Sequence, residues 1–396
     1  MKSASSFLSI FSAALLIAGN MIGAGMLGLP LMTGMAGFFP SMISTLSAWL
    51  FMYCTGLLLL EVTLWMPDGS NVLSISRRFL GRWGPFLSGG LFIFLYYCLM
   101  IAYFAAGTPL FAKAMSLSPT SWKSFALFGA IFAVIVAIGP KFINRTNIIL
   151  SISMVITWFV LLGGGGGQVR WPLLIHTQWS AMPFTLPILF GAFGFHNVIP
   201  SLCTYLKRDR RALRFAIFFG SLLPLIVYLI WQWLIIGTIP KDIIEKTMQN
   251  GIPITAAFQE IAGRTYFVLV GQFFSFFAIV TSVLGVSFSM VDFLGDGCKI
   301  INRIGWRRVG LTLLTFFPPF ILATLNPHVF LTSLGIAGGL GEAFLNGLLP
   351  IALFWMGKRK KYRVYSKWLD NKKVLGLLKV YALFVIGLEI YHLIQH

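Results

Sequence analysis

Charge is what this chain has least of. Only 10% of its 396 residues are Asp, Glu, Lys or Arg, while 58% are hydrophobic, against about 25% charged in a typical soluble domain. So few charges cannot cover the apolar surface of a soluble fold, and mean hydropathy is +0.86. Disorder is excluded as well, because it needs low hydrophobicity and high net charge. Cysteine is scarce: Cys54, Cys98, Cys203 and Cys298 stand far apart with no CxxC pair. That pattern makes neither a disulfide framework nor a zinc site, and such cysteines serve as small apolar packing residues. Of five histidines only His196 lies deep within an apolar run, and HExxH is absent. A membrane enzyme would need a cluster of His, Asp or Cys, so catalysis, a metal and a cofactor are not expected. Repeated pore motifs of the kind found in channels are missing too.

What is present is a series of apolar runs near the ~20 residues needed to cross a hydrocarbon core of ~30 Å. Eleven are counted, at residues 7–31, 37–65, 87–111, 122–139, 148–165, 184–202, 213–239, 266–293, 309–325, 329–356 and 374–393. Each must be helical, since lipid offers no partner to a bare amide or carbonyl. The fold class expected is therefore an all-α polytopic membrane protein forming one transporter domain over residues 1–396. The start resembles a signal peptide, with Lys2 before an apolar stretch. The run continues through Met26, Leu27 and Leu29, however, so a retained first membrane helix is expected.

The net charge of +19, from 30 Lys and Arg against 11 Asp and Glu, invites a nucleic-acid role. The bases instead fall in short loops between apolar runs, without interleaved aromatics. Placing the N-terminus inside puts 24 of them on one side: Lys2, the loop bases Arg77–Arg82, Lys141 and Arg145, Lys207–Arg214, Lys299–Arg308, and Lys358–Lys379. Only Lys113, Lys123, Arg170, Lys241, Lys246 and Arg264, 6 in all, fall outside. Lys and Arg collect on the cytoplasmic side, so the expected topology is N-terminus inside and C-terminus outside.

Two runs are broken by residues that do not belong in a packed helix. The first holds Gly19-Asn20-Met21-Ile22-Gly23-Ala24-Gly25-Met26-Leu27-Gly28. Glycine costs about 0.8–1.0 kcal/mol relative to alanine in a helix interior. Close helix packing through small residues is one explanation. Gly23 and Gly25 are two apart and face different directions, which better suits an unwound turn whose amides point at an anion. The sixth run holds Gly191-Ala192-Phe193-Gly194-Phe195-His196-Asn197-Val198-Ile199-Pro200-Ser201, where proline removes an amide and polar groups sit at membrane depth. If residues 7–165 and 184–356 are two five-helix halves, with 374–393 as an extra helix, the breaks correspond. An odd number of spans per half makes the halves inverted, and paired breaks point to a transporter's binding site. Amides at the start of a second half-helix suit a carboxylate, and carbonyls at the end of the first suit an ammonium. Two crossing broken helices can hold an amino-acid zwitterion.

The stretch Ile22–Leu27 with Pro30 resembles the signature of the hydroxy/aromatic amino acid permease family, in the amino acid–polyamine–organocation superfamily. Phe193–His196 with Pro200-Ser201, Leu57–Val62, Leu284–Val286 with Asp292, and Phe317-Pro318-Pro319 are similar to its motifs in order along the chain. The resemblance is nearest to the tyrosine-specific members. It implies a leucine-transporter-type inverted repeat of five plus five helices in the inner membrane. It also implies import of an aromatic amino acid, tyrosine first, by proton symport, with tryptophan or another neutral or hydroxy amino acid as the alternative. An amino acid and a coupling proton are then the partners, with no obligate protein partner. Asn20-Met21 and Asn197 depart from the family, which tends to carry small residues or threonine at the former and glycine at the latter.

The substrate-binding candidates are accordingly Asn20, Gly23, Ala24, Gly25, Phe193, Gly194, Phe195, His196 and Asn197. A mid-bilayer carboxylate costs about 2.5–3.5 kcal/mol on insertion scales, and protonation removes the charge. The proton-coupling candidates are His196, Glu61, Glu342 and Asp292. Glu61 matches the family, Glu342 lies in a glycine-rich flexible stretch, and Asp292 and Glu389 sit near span ends within reach of water. Tyr96, Tyr97 and Tyr103 are expected to pack rather than line a pocket, and glycines 163–167 to form a loose connector.

Overall fold

A chain in hydrocarbon must satisfy its amides within each segment, and in the computed structural model the apolar runs are helices. The structure describes residues 6–250, 252–257, 265–300, 303–365 and 368–395. Lys2, Arg264, Lys367 and His396 lie outside them. Among the described residues nine helices are long and apolar enough to cross a bilayer. A tenth crossing is a bent pair, α1 (Phe7–Met21) and α2 (Gly25–Ala36), whose axes differ by 63°. There follow α3 (Phe38–Trp65), a short amphipathic α4 (Val72–Leu80) leading into α5 (Gly84–Ala114), α6 (Trp122–Ile138) and α7 (Pro140–Gly165). The sixth run is split into α8 (Leu186–Ala192) and α9 (Ile199–Tyr205). Then come α10 (Arg210–Thr238), the short α11 (Lys241–Gln249), α12 (Thr265–Gly297) and α13 (Trp306–Leu325). Last are α14 (Phe330–Ile336), a π-helical segment Ala337–Leu348, α15 (Leu349–Arg359) and α16 (Lys372–Gln395).

Three expectations shift. Helix α6 has 17 residues, about 25 Å at ~1.5 Å per residue, and falls short of the helices long enough to cross. Helix α7 begins at Pro140 instead of residue 148, because Gly139 (φ 133°) turns the chain and proline suits the first helical position. The glycine-rich stretch around Glu342 is continuous wide helix.

Close backbone contacts place the broken helices at the centre. A Cβ at Gly220 of α10 would meet Ala14 and Ile17 of α1, and one at Gly338 would run into the Pro187 carbonyl of α8. Glycine there lets α10 lie on α1 and the π segment lie on α8. Bases at the charged end also tie helix C-termini, where carbonyls are unpaired and the dipole is negative. Arg208 donates to the Leu64 and Met66 carbonyls at 2.8 Å, and buried Arg308 donates to the Val136 carbonyl at 2.8 Å.

Candidate substrate-binding site

The first break runs through Ile22, Gly23 and Ala24. Among the described residues no backbone carbonyl accepts from the amides of Gly23 or Gly25. The Ala24 amide is taken by a side chain, donating to Ser282 Oγ of α12 at 2.9 Å. The second break runs from Phe193 to Phe195, followed by one 3-10 turn, His196–Val198. Tyr228 of α10 holds both breaks at once: its buried hydroxyl lies 2.6 Å from the Met21 carbonyl that ends α1 and 3.1 Å from the Ala192 carbonyl that ends α8, one donor shared between them. One helix turn on, Trp231 donates from Nε1 to the Met26 carbonyl at 2.8 Å. Two of the carbonyls expected to face an ammonium are therefore already paired.

Asn20 and Asn197, the two departures from the family pattern, meet across the breaks. Asn20 Nδ2 donates to Asn197 Oδ1 at 3.1 Å and to the Gly194 carbonyl at 3.0 Å, and Asn197 Nδ2 donates back to Asn20 Oδ1 at 3.3 Å. Asn197 Nδ2 also donates to the Tyr96 hydroxyl at 3.3 Å. These groups line a cavity of about 390 Å³ that runs from the breaks to Asn71 and Asp296, the end where the basic loops gather. Of the expected residues, Asn20, Gly23, Ala24, Gly25, Gly194, Asn197, Glu342 and Asp292 line it. Phe193, Phe195, His196 and Glu61 do not. Phe193, Phe195 and His196 are fully buried, and His196 Nε2 is bonded to Thr55 Oγ1 at 3.0 Å. Tyr96 and Tyr103 do line the cavity, with Phe92 and Ser282. Tyr97 points away and donates to the Leu314 carbonyl at 2.8 Å.

A family model described as the tryptophan/tyrosine permease family matches residues 7–389. The chain belongs to this family. It is 30% identical over 372 residues to Tyrosine-specific transport system 1 of Haemophilus influenzae, covering 92% of each chain. It is 29% identical over 381 residues to the Tryptophan-specific transport protein of the same organism, covering 90% of this chain and 91% of that one. It is also 26% identical over 398 residues to Glutamine transporter 2 of Aliivibrio fischeri, covering 95% of this chain and 98% of that one. The protein is thus a multi-pass membrane permease, not an enzyme.

The carboxylates of this permease separate by their partners. Glu61, at the end of α3 near the basic loops, lies 3.6 Å from Arg214. Asp292 accepts from Arg303 at 3.0 Å and is 39% exposed in its side chain. Glu342 is buried against Gly194, where a Cβ would strike its carboxylate, and it accepts from the Asn346 side-chain amide. No cation pairs with Glu342 among the described residues. Glu389, expected near water, is instead buried at 3% exposure, because α16 packs along the π segment. Tyr228, Trp231 and Ser282 were missed by sequence reasoning: each acts on a backbone atom far along the chain, and nothing local marks it.

Proposed function

We propose that this permease imports an aromatic amino acid, tyrosine above tryptophan, across the inner membrane by proton symport. The observation that carries the site is the crossing of two broken helices at one cavity, with the Gly23 and Gly25 amides unclaimed by the backbone. The substrate carboxylate goes to those amides. Its ammonium goes to the Ile22 carbonyl and to the second lone pair of the Gly194 carbonyl. The aromatic body lies along Phe92, Tyr96 and Tyr103, and the Asn20–Asn197 pair meets the phenolic hydroxyl. A site built to bond a hydroxyl rejects the analogue that lacks it far better than an apolar pocket rejects an added one. Phe193, Phe195 and His196 hold the second break in shape from behind. The tyrosine and tryptophan transporters among the relatives support the substrate class.

Glu342 is the proposed proton carrier. Arg214 beside Glu61 and Arg303 beside Asp292 give those carboxylates standing counter-charges, whereas among the described residues Glu342 has only a neutral amide and touches the backbone of the break. We also propose eleven crossings, with α6 as the short fourth. Residues 7–165 and 184–356 form the inverted halves, 374–393 the added helix, and the N-terminus faces the cytoplasm. The corresponding breaks and the lopsided charge support this arrangement.

Counterflow of labelled tyrosine into proteoliposomes, competed by tryptophan, phenylalanine and glutamine, tests the substrate. Tyrosine should compete best, and a panel led by glutamine would overturn the assignment. Glu342→Gln should keep exchange and lose pH-driven accumulation; accumulation at the wild-type level would remove Glu342 from the coupling step.

A further inference from the structure

A second cavity, of about 270 Å³, lies at the opposite end of the bundle from the basic loops. Its walls are largely apolar, from Met32, Phe184, Pro187 and Leu331, and its polar side chains are Gln249, His328, Thr332, Glu389 and His392. Glu389 lies on α16, the helix outside the two proposed halves, and leans on bare backbone. A Cβ at Gly335 would come within 2.9 Å of Glu389 Oε1, and one at Gly339 within 2.7 Å of Glu389 Cβ. The two glycines clear the space the carboxylate occupies. At 3% exposure, Glu389 Oε1 has no hydrogen-bond partner, and no ion pair reaches the residue among the described residues. A buried ionisable group in a membrane protein ordinarily pairs or marks a ligand path, and among the described residues Glu389 Oε1 has no partner. His328 supports the same conclusion. Its Nδ1 lies 3.0 Å from the Asn250 carbonyl, which only accepts, so Nδ1 carries a proton and, in the neutral ring, Nε2 is an acceptor. Glu389 Oε1 and the Nε2 of a neutral His328 therefore both call for a ligand that donates. No group of three or more His, Cys, Asp or Glu suited to a metal occurs among the described residues.

We propose that this cavity is an outer docking site for an aromatic primary amine, the transported amino acid included, with Glu389 as counter-ion to the ammonium and the apolar walls holding the ring. That the transported amino acid uses it rests on the function proposed above; the preference for an ammonium does not. Labelled tyramine, which has the ammonium and ring but no carboxylate, is the probe, bound to the full chain in lipid nanodiscs. Wild type should bind it, and Glu389→Gln, equal in size, should weaken binding at least about 10-fold. Glu342→Gln, in the other cavity, should leave it unchanged. 3-(4-Hydroxyphenyl)propionate, which has the ring without the ammonium, should not displace it. His328→Ala, on an exposed side chain, is the second variant and should weaken binding severalfold without affecting folding. No tyramine binding by the wild type, undiminished binding by folded Glu389→Gln, or binding lost in Glu342→Gln instead would each overturn the proposal. Failure of wild type to exchange tyrosine would refute the transport function and leave the tyramine result standing.

Discussion

Gly23 can be tested by a cycle with Ser282. No unusual φ bars a side chain at residue 23; one atom does. A Cβ there would overlap Ser282 Oγ, while Ser282 Cβ stands at 3.7 Å and the Ala278 carbonyl at 4.0 Å, both ordinary contacts. In Gly23→Ala the hydroxyl must leave, and the Ala24 amide loses its acceptor. An unsatisfied buried amide costs about 1–3 kcal/mol, and overpacking adds about 1–3 kcal/mol. In Gly23→Ala/Ser282→Ala the overlapping atom is gone, so only the first cost remains, as in Ser282→Ala alone. Adding Ser282→Ala to Gly23→Ala therefore recovers about 1–3 kcal/mol, a rescue of about 5–150-fold, and the coupling between the two sites, which also counts the amide's cost once, is about 2–6 kcal/mol. Counterflow of labelled tyrosine measures it, with thermal unfolding in parallel. Gly25→Ala is the packing control: its Cβ meets only Ala192, at 3.7 Å, and its thermal unfolding should stay near wild type. Gly23→Ala as active as wild type, or a coupling below about 0.5 kcal/mol, would refute the contact that shapes this break.

Tyr228→Phe keeps the ring and removes the donor shared by the two break carbonyls. It should cost about 1–2 kcal/mol of stability and weaken tyrosine binding about 5–30-fold; unchanged affinity would show that the breaks hold without it. His196→Gln preserves a partner for Thr55 and should retain both exchange and accumulation, so loss of accumulation alone would move proton coupling from Glu342 to His196. Cysteines introduced one at a time on the exposed face of Lys241–Gln249 should react with an impermeant maleimide applied outside, and those at 358–361 should not. The reverse pattern would invert the topology.

Runs of apolar residues carried most of the architecture, because crossing a bilayer is a demand each segment meets alone. Both breaks were legible for the same reason: Gly23 and Gly25, and Pro200 after His196, disturb a helix locally. What pairing adds was not legible. Asn20 and Asn197 stood out only as departures, and their mutual bond depends on how α1 and the sixth run cross. Glu389 read as a span-end residue within reach of water; its burial comes from α16 lying along Gly335 and Gly339. Residues 240–265 read as a loop, yet Lys241–Gln249 is a helix whose Ile244 fits against Gly34. His196 drew attention as the lone deep histidine, whereas its bond to Thr55 and full burial turn it away from the cavity.

The π segment makes the chain's length there part of its chemistry. Wide turns of this kind close i→i+5 bonds in place of i→i+4, so Ala337–Leu348 holds more residues per turn than an ordinary helix would. Removing one residue upstream of Glu342, with the wide winding kept, would turn everything beyond by one residue's step, somewhat under the ~100° of an ordinary helix. The carboxylate would leave the Gly194 backbone for another face, with every side chain still of its original type. A homologue that keeps glutamate in this stretch but is one residue shorter would place it against a different neighbour. Residue spacing in this helix, as much as residue identity, decides which wall the acid serves.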